Sequence, residues 1–532
     1  MAVSWGATAG TIDQSGNYTA PSTVPAGGVA KVTATSVSSP SASATATVTI
    51  TTQPVTLTIT PSSATVKAGF SQMFTALVSG TTNALVNWTV SDSPGDTTYP
   101  GSIAAGSYLA PAPVTGSHTY MIDAVSNADP AKTASATVTV IPLENQEQQA
   151  LPIKLGTSGV NGNAGDCCSG TLGSLLTDQN GKQYILSNNH VLGRLSSAKV
   201  GEPIVQPGFV DTFCDFAQPN VVAHFTAAPP IDSSNVDAAI AEVVPGAVDS
   251  QGDIIGLGGI SSDGSYIASP PANTTVDAAI GMAVAKSGRT TGLSCGTVLA
   301  VDGSFTMDFP ADCGNPTHQQ IGFSGQVIVG YGLIRPGDSG SLIVDTATSR
   351  PVGLVAGLST DGVYTTANPA SEVLSALGTA TGLKFTFVGG TEHAVSCTPA
   401  SATQAERAKE ESAAANLIPS EEIAGVVAVN KRHRSEILQD PAVVGIAVGR
   451  SDLRLHTAAI LVFVEKGKTL SSPLPATLDG VEVRIVPTSR FQAVNGPRLG
   501  ASACGDQRDQ SRAIRRPVEH LQSQETRNAK AP

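Results

Sequence analysis

Tyr18 and Tyr108 stand 90 residues apart, as do Pro21 and Pro111, and the text around them repeats as well. SWGATAGTIDQSGNYTAP, which contains Trp5, recurs as NWTVSDSPGDTTYPGSIAAGSYLAP over Asn87–Pro111. At the same offset, VTATSVSSPSASATATVTI (Val32–Ile50) matches IDAVSNADPAKTASATVTV (Ile122–Val140). Within each copy short runs alternate Val with Thr or Ser and are broken by Gly, Pro and Asn. A period of two buries one face of a strand, so each copy is expected to be an all-β sandwich, two sheets over one core. The second copy opens with VTLTITPSSATVKAGFSQMFTALVSG (Val55–Gly80), which has no counterpart in the first. Met1 therefore enters the first sandwich after its opening strands, and the expected domains are a truncated repeat at 1–52 and a full one at 53–142.

These two segments resemble bacterial immunoglobulin-like surface domains. The resemblance implies a spacer or adhesive stalk without chemistry of its own, contact with a cell surface or matrix, and an extracellular or surface location. MAVSWGATAG carries neither a basic nor an apolar leader region, so no signal peptide is visible, and one lost upstream of a truncated start is the expectation. The longest apolar run, AAILVFV at Ala458–Val464, falls far short of the roughly 18–20 residues of a membrane helix, so no transmembrane segment is expected.

The chain has 532 residues, too many for one core, and 54 Gly with 34 Pro leave little room for long helices. Seven cysteines, at 167, 168, 214, 295, 313, 397 and 504, include no CxxC pair, which favours disulfides with one thiol left over and gives no metal site. Charge is uneven: residues 151–390 hold 9 basic and 19 acidic side chains, while 391–532 hold 18 and 16. An acidic surface repels phosphates, so nucleic acid is not an expected partner. The basic Arg512, Arg515 and Arg516 sit in a polar tail, 496–532, expected to be disordered.

After the polar linker Leu143–Ala150, residues 151–390 read as short Val/Ile/Leu strands between Gly- and Asp-rich turns, one β-barrel or two, with a single amphipathic helix from Ala370 to Leu377. A small α+β module at 401–495 follows: a helical stretch over Ala402–Leu438 with cap candidates Ser401 and Ser420, then strands at Ala442–Gly449, Ala458–Glu465 and Val481–Pro487.

Ser339 lies in GLIRPGDSGSLIVD, a Gly-Asp-Ser-Gly turn between apolar strands. A serine hydroxyl is a poor nucleophile until a base, an orienting acid and oxyanion-binding N–H groups surround it. Gly337 has no side chain to obstruct turning its N–H toward the point served by the Ser339 N–H. His190 ends YILSNNH and so follows a buried strand. Two acids compete for the place between them, because VDAAI occurs twice: Asp237 lies 47 residues after His190, Asp277 lies 87 after it. Asp237 fits better, since an aspartate inside VDAAIAEV is costly to bury unless an imidazole N–H uses it. His190, Asp237, Ser339 is the order of the chymotrypsin family rather than of subtilisin or the α/β-hydrolases.

CSGTLGSLL (Cys168–Leu176), YILSNNHVLG, VDAAIAEV, KSGRTTGLSCGTV (Lys286–Val298), GDSGSLIV and PVGLVAG (Pro351–Gly357) follow in the order of the trypsin-like serine peptidases. SGRTTG with CGTV resembles the bacterial α-lytic branch, and LSNNHVLG with TTANPASEVLSALG resembles peptidases related to the plant narrow-leaf protease. The resemblance implies a double six-stranded β-barrel, hydrolysis of protein or peptide substrates through an acyl-enzyme, and no cofactor. It assigns His190 as general base then acid, Asp237 as its orienter, Ser339 as nucleophile, Gly337 and Ser339 as the oxyanion hole, and a structural ion pair of Asp338 with Arg289. The whole chain is thus expected to be mostly β: immunoglobulin-like sandwiches, a double-barrel protease domain, then the α+β module.

Val191 stands where animal members have a cysteine, so the bridges implied are Cys167 or Cys168 with Cys214, Cys295 with Cys313, and Cys397 with Cys504. Leu333, six residues before Ser339, and Ala356–Leu358 as the pocket wall imply an apolar or small residue before the cleaved bond rather than Lys or Arg. The rival to a secreted endopeptidase is a surface adhesion protein whose barrel has lost catalysis. A third reading makes the C-terminal module an intramolecular chaperone or inhibitor.

Overall fold

The computed structural model describes residues 2–92, 100–112, 114, 116–261, 265–311, 317–330, 333–396, 418–453 and 457–493. The expected tail at 496–532 and the residues Ser401, Cys313, Cys397 and Cys504 lie outside them. The chain divides into two compact units, Met1–Ile141 and a second from Pro142 onward.

In the first unit, the second copy of the repeat is a sandwich of two larger sheets and a two-stranded one, Thr56–Thr60 with Thr75–Ser79. Val86–Asp92, His118–Ser126, Thr133–Ile141 and Ser63–Lys67 form one sheet, and Ser102–Ala104, Ser107–Leu109 and Ser71–Met73 another. Strand His118–Ser126 shows the expected period: Tyr120, Ile122, Ala124 and Ser126 are buried and the residues between them are not. The repeated tyrosines do the same work in both copies, Tyr18 donating its hydroxyl to the Ala9 carbonyl and Tyr108 to that of Pro100, each at 2.8 Å. The copies differ in how far their last strands are buried. Thr133–Ile141 buries three side chains beneath its neighbours, whereas its counterpart Ser43–Thr49 buries none.

In the second unit two sheets close into barrels. The first runs Gly170–Leu172, Thr157–Asn161, Pro203–Gln206, Asn220–Ala227, Ala239–Val243, Gln183–Ser187, Ser174–Asp178. Gly170–Leu172 and Ser174–Asp178 are one strand bent at Gly173, which leaves six barrel strands, and Phe385–Phe387 adds to this sheet alongside Ser174–Asp178. The second runs Ala283–Gly288, Leu342–Asp345, Pro351–Ser359, Tyr364–Pro369, Gln319–Gly330, Gly292–Phe309, and the last pairs back onto the first. The helix Ala370–Thr381 buries Ala370, Val373 and Leu377, spaced to lie on one face, and ends at Gly382.

The C-terminal strands are continuous with the second barrel. Val443–Arg450 pairs with Gly292–Phe309, followed outward by Ala458–Glu465 and Val481–Thr488. Helix Ser420–Ile437 covers them, with Val426, Val429 and Ile437 packed on Ile446, Val448, Ile460 and Val462. Ser420 is the first helical residue rather than the cap; Pro419 holds that place and offers no side-chain hydrogen bond.

Candidate active site

His190 follows the strand Gln183–Ser187 and sits in a one-turn π-helix, Asn189–Gly193. The neighbouring strand Ala239–Val243 pairs Ser187 with Ala239, so Asp237, two residues earlier, falls beside the turn that carries the histidine. The structure brings the two together twice over. The His190 N–H donates to Asp237 Oδ1 at 3.1 Å, and ring Nδ1 makes a short contact with Oδ2. The Asn188 side-chain amide donates to the Asp237 carbonyl at 2.6 Å, and the Asp237 N–H donates to Asn368 Oδ1 at 2.9 Å, reaching a strand of the second barrel. Asp237 is fully buried, whereas Asp277 is exposed, which removes the competing acid. With Nδ1 engaged, the imidazole turns Nε2 inward, and this buried atom has no hydrogen-bond partner among the described residues.

Ser339 sits on a turn held between the barrels. Its carbonyl accepts the Thr171 N–H at 2.9 Å, the Thr171 hydroxyl donates to the Gly337 carbonyl at 2.9 Å, and the Ser187 hydroxyl donates to the Thr171 carbonyl at 2.6 Å. Thr171 thereby joins the serine turn to the strand that leads into His190. Gly337 has φ +99° and Gly340 φ +91°, backbone that favours glycine, and a Cβ on Gly340 would lie 2.1 Å from Ser187 Oγ. The Gly337 N–H makes no hydrogen bond among the described residues. His190, Asp237 and Ser339 are all at most 4% exposed.

One expected contact is corrected. Arg289 does not pair with Asp338; it forks onto Asp211, with Nε–Oδ2 at 2.8 Å and Nη2–Oδ1 at 2.6 Å. The cation beside Asp338 is Lys286, its Nζ 3.3 Å from Oδ1 and both side chains wholly buried. Burial pulls the Lys286 ammonium below the usual lysine range, and the Asp338 carboxylate opposes part of that shift. Asp338 also accepts the N–H groups of Thr290, Thr291 and Arg335 and the Thr291 hydroxyl, at 2.8 to 3.1 Å. It thus fixes the loop before Ser339 without touching the reacting atoms. The reason for the exchange is geometric: Lys286 lies within the strand Ala283–Gly288, while Arg289, just past its end, turns toward the short helical turn Phe209–Thr212.

Sequence reasoning also missed Thr171, Asn188, Asn368 and Phe309, whose ring packs edge-on against His190 at 5.9 Å. Only the doubled asparagine before His190 signalled anything. Cys167 is bridged to Cys214, choosing between the two expected partners. Cys168 and Cys295 are disulfide-bonded too; Cys313, the partner expected for Cys295, and the expected pair Cys397 and Cys504 are not among the described residues. No group of His, Cys, Asp and Glu able to hold a metal occurs among the described residues, and no described helix is long and apolar enough to cross a membrane.

No family model matches the chain, and no curated protein is similar to it. Solved structures of serine proteases align with part of the chain. A glutamic acid-specific serine protease described as using a histidine triad in substrate binding is 19% identical, with TM-score 0.31, over 44% of this chain and 100% of its own. Thermobifida fusca protease A is 16% identical, with TM-score 0.29, over 44% of this chain and 97% of its own. Cellulomonas bogoriensis chymotrypsin is 18% identical, with TM-score 0.28, over the same shares.

Proposed function

We propose that the second unit is a serine endopeptidase that cleaves protein or peptide substrates through an acyl-enzyme. The observation that carries this reading is the buried His190, oriented by Asp237 through two hydrogen bonds and with Nε2 unpartnered among the described residues, beside the Ser339 turn that Thr171 ties to the strand leading into His190. In the first step His190 Nε2 takes the Ser339 hydroxyl proton as Oγ attacks the substrate carbonyl. Asp237 holds the tautomer and stabilises the imidazolium, while the Gly337 and Ser339 N–H groups receive the oxyanion. His190 then returns the proton to the leaving amine, and water, activated the same way, frees the acyl group. Leu333, fully buried in an apolar cluster, supports an apolar or small residue before the cleaved bond. The sandwich repeats serve as a stalk, and the bridged Cys167 and Cys214 suit a secreted or surface-displayed protein.

Labelling with a fluorophosphonate probe, followed by peptide mapping, tests the assignment. Modification of Ser339 that disappears in Ser339→Ala and in His190→Ala is the expected result. A folded protein in which neither native nor C-terminally truncated chains react would leave a binding protein on a protease scaffold.

A further inference from the structure

The two-residue strand Phe491–Gln492 leaves the C-terminal module and enters the second barrel. It runs antiparallel to the end of Pro351–Ser359, with Phe491 opposite Ser359 and Gln492 opposite Leu358, and parallel to Met307 and Asp308. The Ala493 N–H donates to the Asp308 carbonyl at 2.9 Å. Phe491 and Ala493 are at most 1% exposed, and the Phe491 ring lies 4.8 Å from that of Phe305. The Gln492 carbonyl presses so close to Gly357 that a Cβ there would meet it at 2.5 Å. Three residues thus fill a slot between two barrel strands.

Both walls of the slot lead to the candidate active site. On one side the parallel register makes Ala493 level with Phe309, the residue packed against His190. On the other, the pairing advances from Ser359 through Leu358 toward Val355, whose carbonyl accepts the N–H of Gly340, the neighbour of Ser339. At about 3.3 Å per strand residue, Leu358 to Val355 is about 10 Å. Any peptide held in this register comes level with Val355 within about two residues of the Ala493 position. Extended peptides bind by adding to such an edge, main-chain bonds giving affinity and alternate side chains giving selectivity.

We propose that this slot receives the N-terminal side of an extended peptide substrate, and that Phe491–Ala493 occupies it in cis and keeps the full chain latent. The inference rests on the peptidase reading for what happens at Ser339, but not for what binds in the slot. It also names the substrate class: an extended segment with an aromatic residue in the Phe491 place and a small residue two positions nearer the cleaved bond. A two-residue strand makes few main-chain bonds, and its release gives up chiefly the packing of Phe491 on Phe305 and Phe463.

The test uses the full chain in two backgrounds. In Ser339→Ala protein, Phe491→Ala or Gln492→Pro is expected to bind a fluorescein-labelled peptide of sequence SRFQAVN about tenfold or more tighter than the parent, because the competent state is no longer taxed by the cis strand. Equal binding by parent and variants, or none by variants whose circular dichroism shows them folded, overturns the proposal. With Ser339 present, the same changes should raise fluorophosphonate labelling about tenfold, and free SRFQAVN should reverse the rise. Peptide binding confined to the released forms with no labelling of any form keeps the slot and removes the peptidase reading. Equal labelling of all forms keeps the peptidase and removes the latency.

Discussion

The side-chain amide of Asn188 donates to the main-chain carbonyl of Asp237 at 2.6 Å, so the residue two before the histidine holds the backbone of the acid that orients it. Asn188 is wholly buried and never reaches the reacting atoms. Asn188→Ala is expected to leave the fold intact, cost about 1–3 kcal/mol through an unsatisfied carbonyl, and slow labelling of Ser339. A misplacement of the His–Asp pair by about 1 Å corresponds to about 100-fold in rate. Labelling rates measured beside thermal denaturation check this, and a variant equally destabilised but unchanged in labelling would reduce Asn188 to a packing residue.

The exchange of cations around Asp338 is open to a double-mutant cycle. Losing one partner of a buried ion pair costs about 3–5 kcal/mol. Lys286→Met should fall near the lower end, because Asp338 keeps four neutral donors. Arg289→Met should fall near the upper end, because it strips Asp211 of both guanidinium bonds and leaves the Ser158 hydroxyl. Strong coupling is expected between Arg289 and Asp211 and little between Arg289 and Asp338, read from urea denaturation midpoints of single and double variants.

This pair also shows where the sequence stopped being informative. The segment KSGRTTG offers two cations three residues apart, and nothing in it says which faces the serine turn. The choice depends on a strand end and on Asp211, which arrives from a distant short helical turn with no periodicity to announce it. Apolar runs between Gly-rich turns made barrel strands legible without fixing one barrel or two, which the resemblance supplied, and Asp237 was legible because a carboxylate in an apolar strand demands a partner. Phe491–Gln492 was not, since two residues carry no period and their partners lie more than 130 residues away. The same limit hid Thr171, whose clamp on Gly337 spans 166 residues.

Alkaline pH should act on Tyr184 and Tyr266. Burial raises the Tyr184 and Tyr266 hydroxyls from 10.0 to about 12, with the Asp178 carboxylate adding to the effect at Tyr184. The unfolded chain then loses these protons first, so the stability they give is complete below pH 10 and is lost between pH 10 and 12. Denaturation midpoints should fall across that window, and less steeply for Tyr184→Phe. Ultraviolet titration showing both phenols ionising near 10 in the folded protein would remove the effect.

Gly340 offers the most direct check that the serine turn is built against the first barrel. Its φ of +91° disfavours any side chain, and a Cβ would meet Ser187 Oγ at 2.1 Å and the Thr171 carbonyl at 2.5 Å. Backbone strain of about 1–3 kcal/mol and overpacking of about 1–3 kcal/mol would together remove a large part of a typical domain's stability. Gly340→Ala is therefore expected to lower the melting temperature sharply and abolish labelling of Ser339. Adding Ser187→Gly relieves only the hydroxyl contact, because the Thr171 oxygen is main chain and itself accepts the Ser187 hydroxyl. The double variant should recover neither stability nor labelling. Full recovery would mean that the Ser187 side chain alone, rather than the backbone of the strand carrying Thr171, sets the position of the turn.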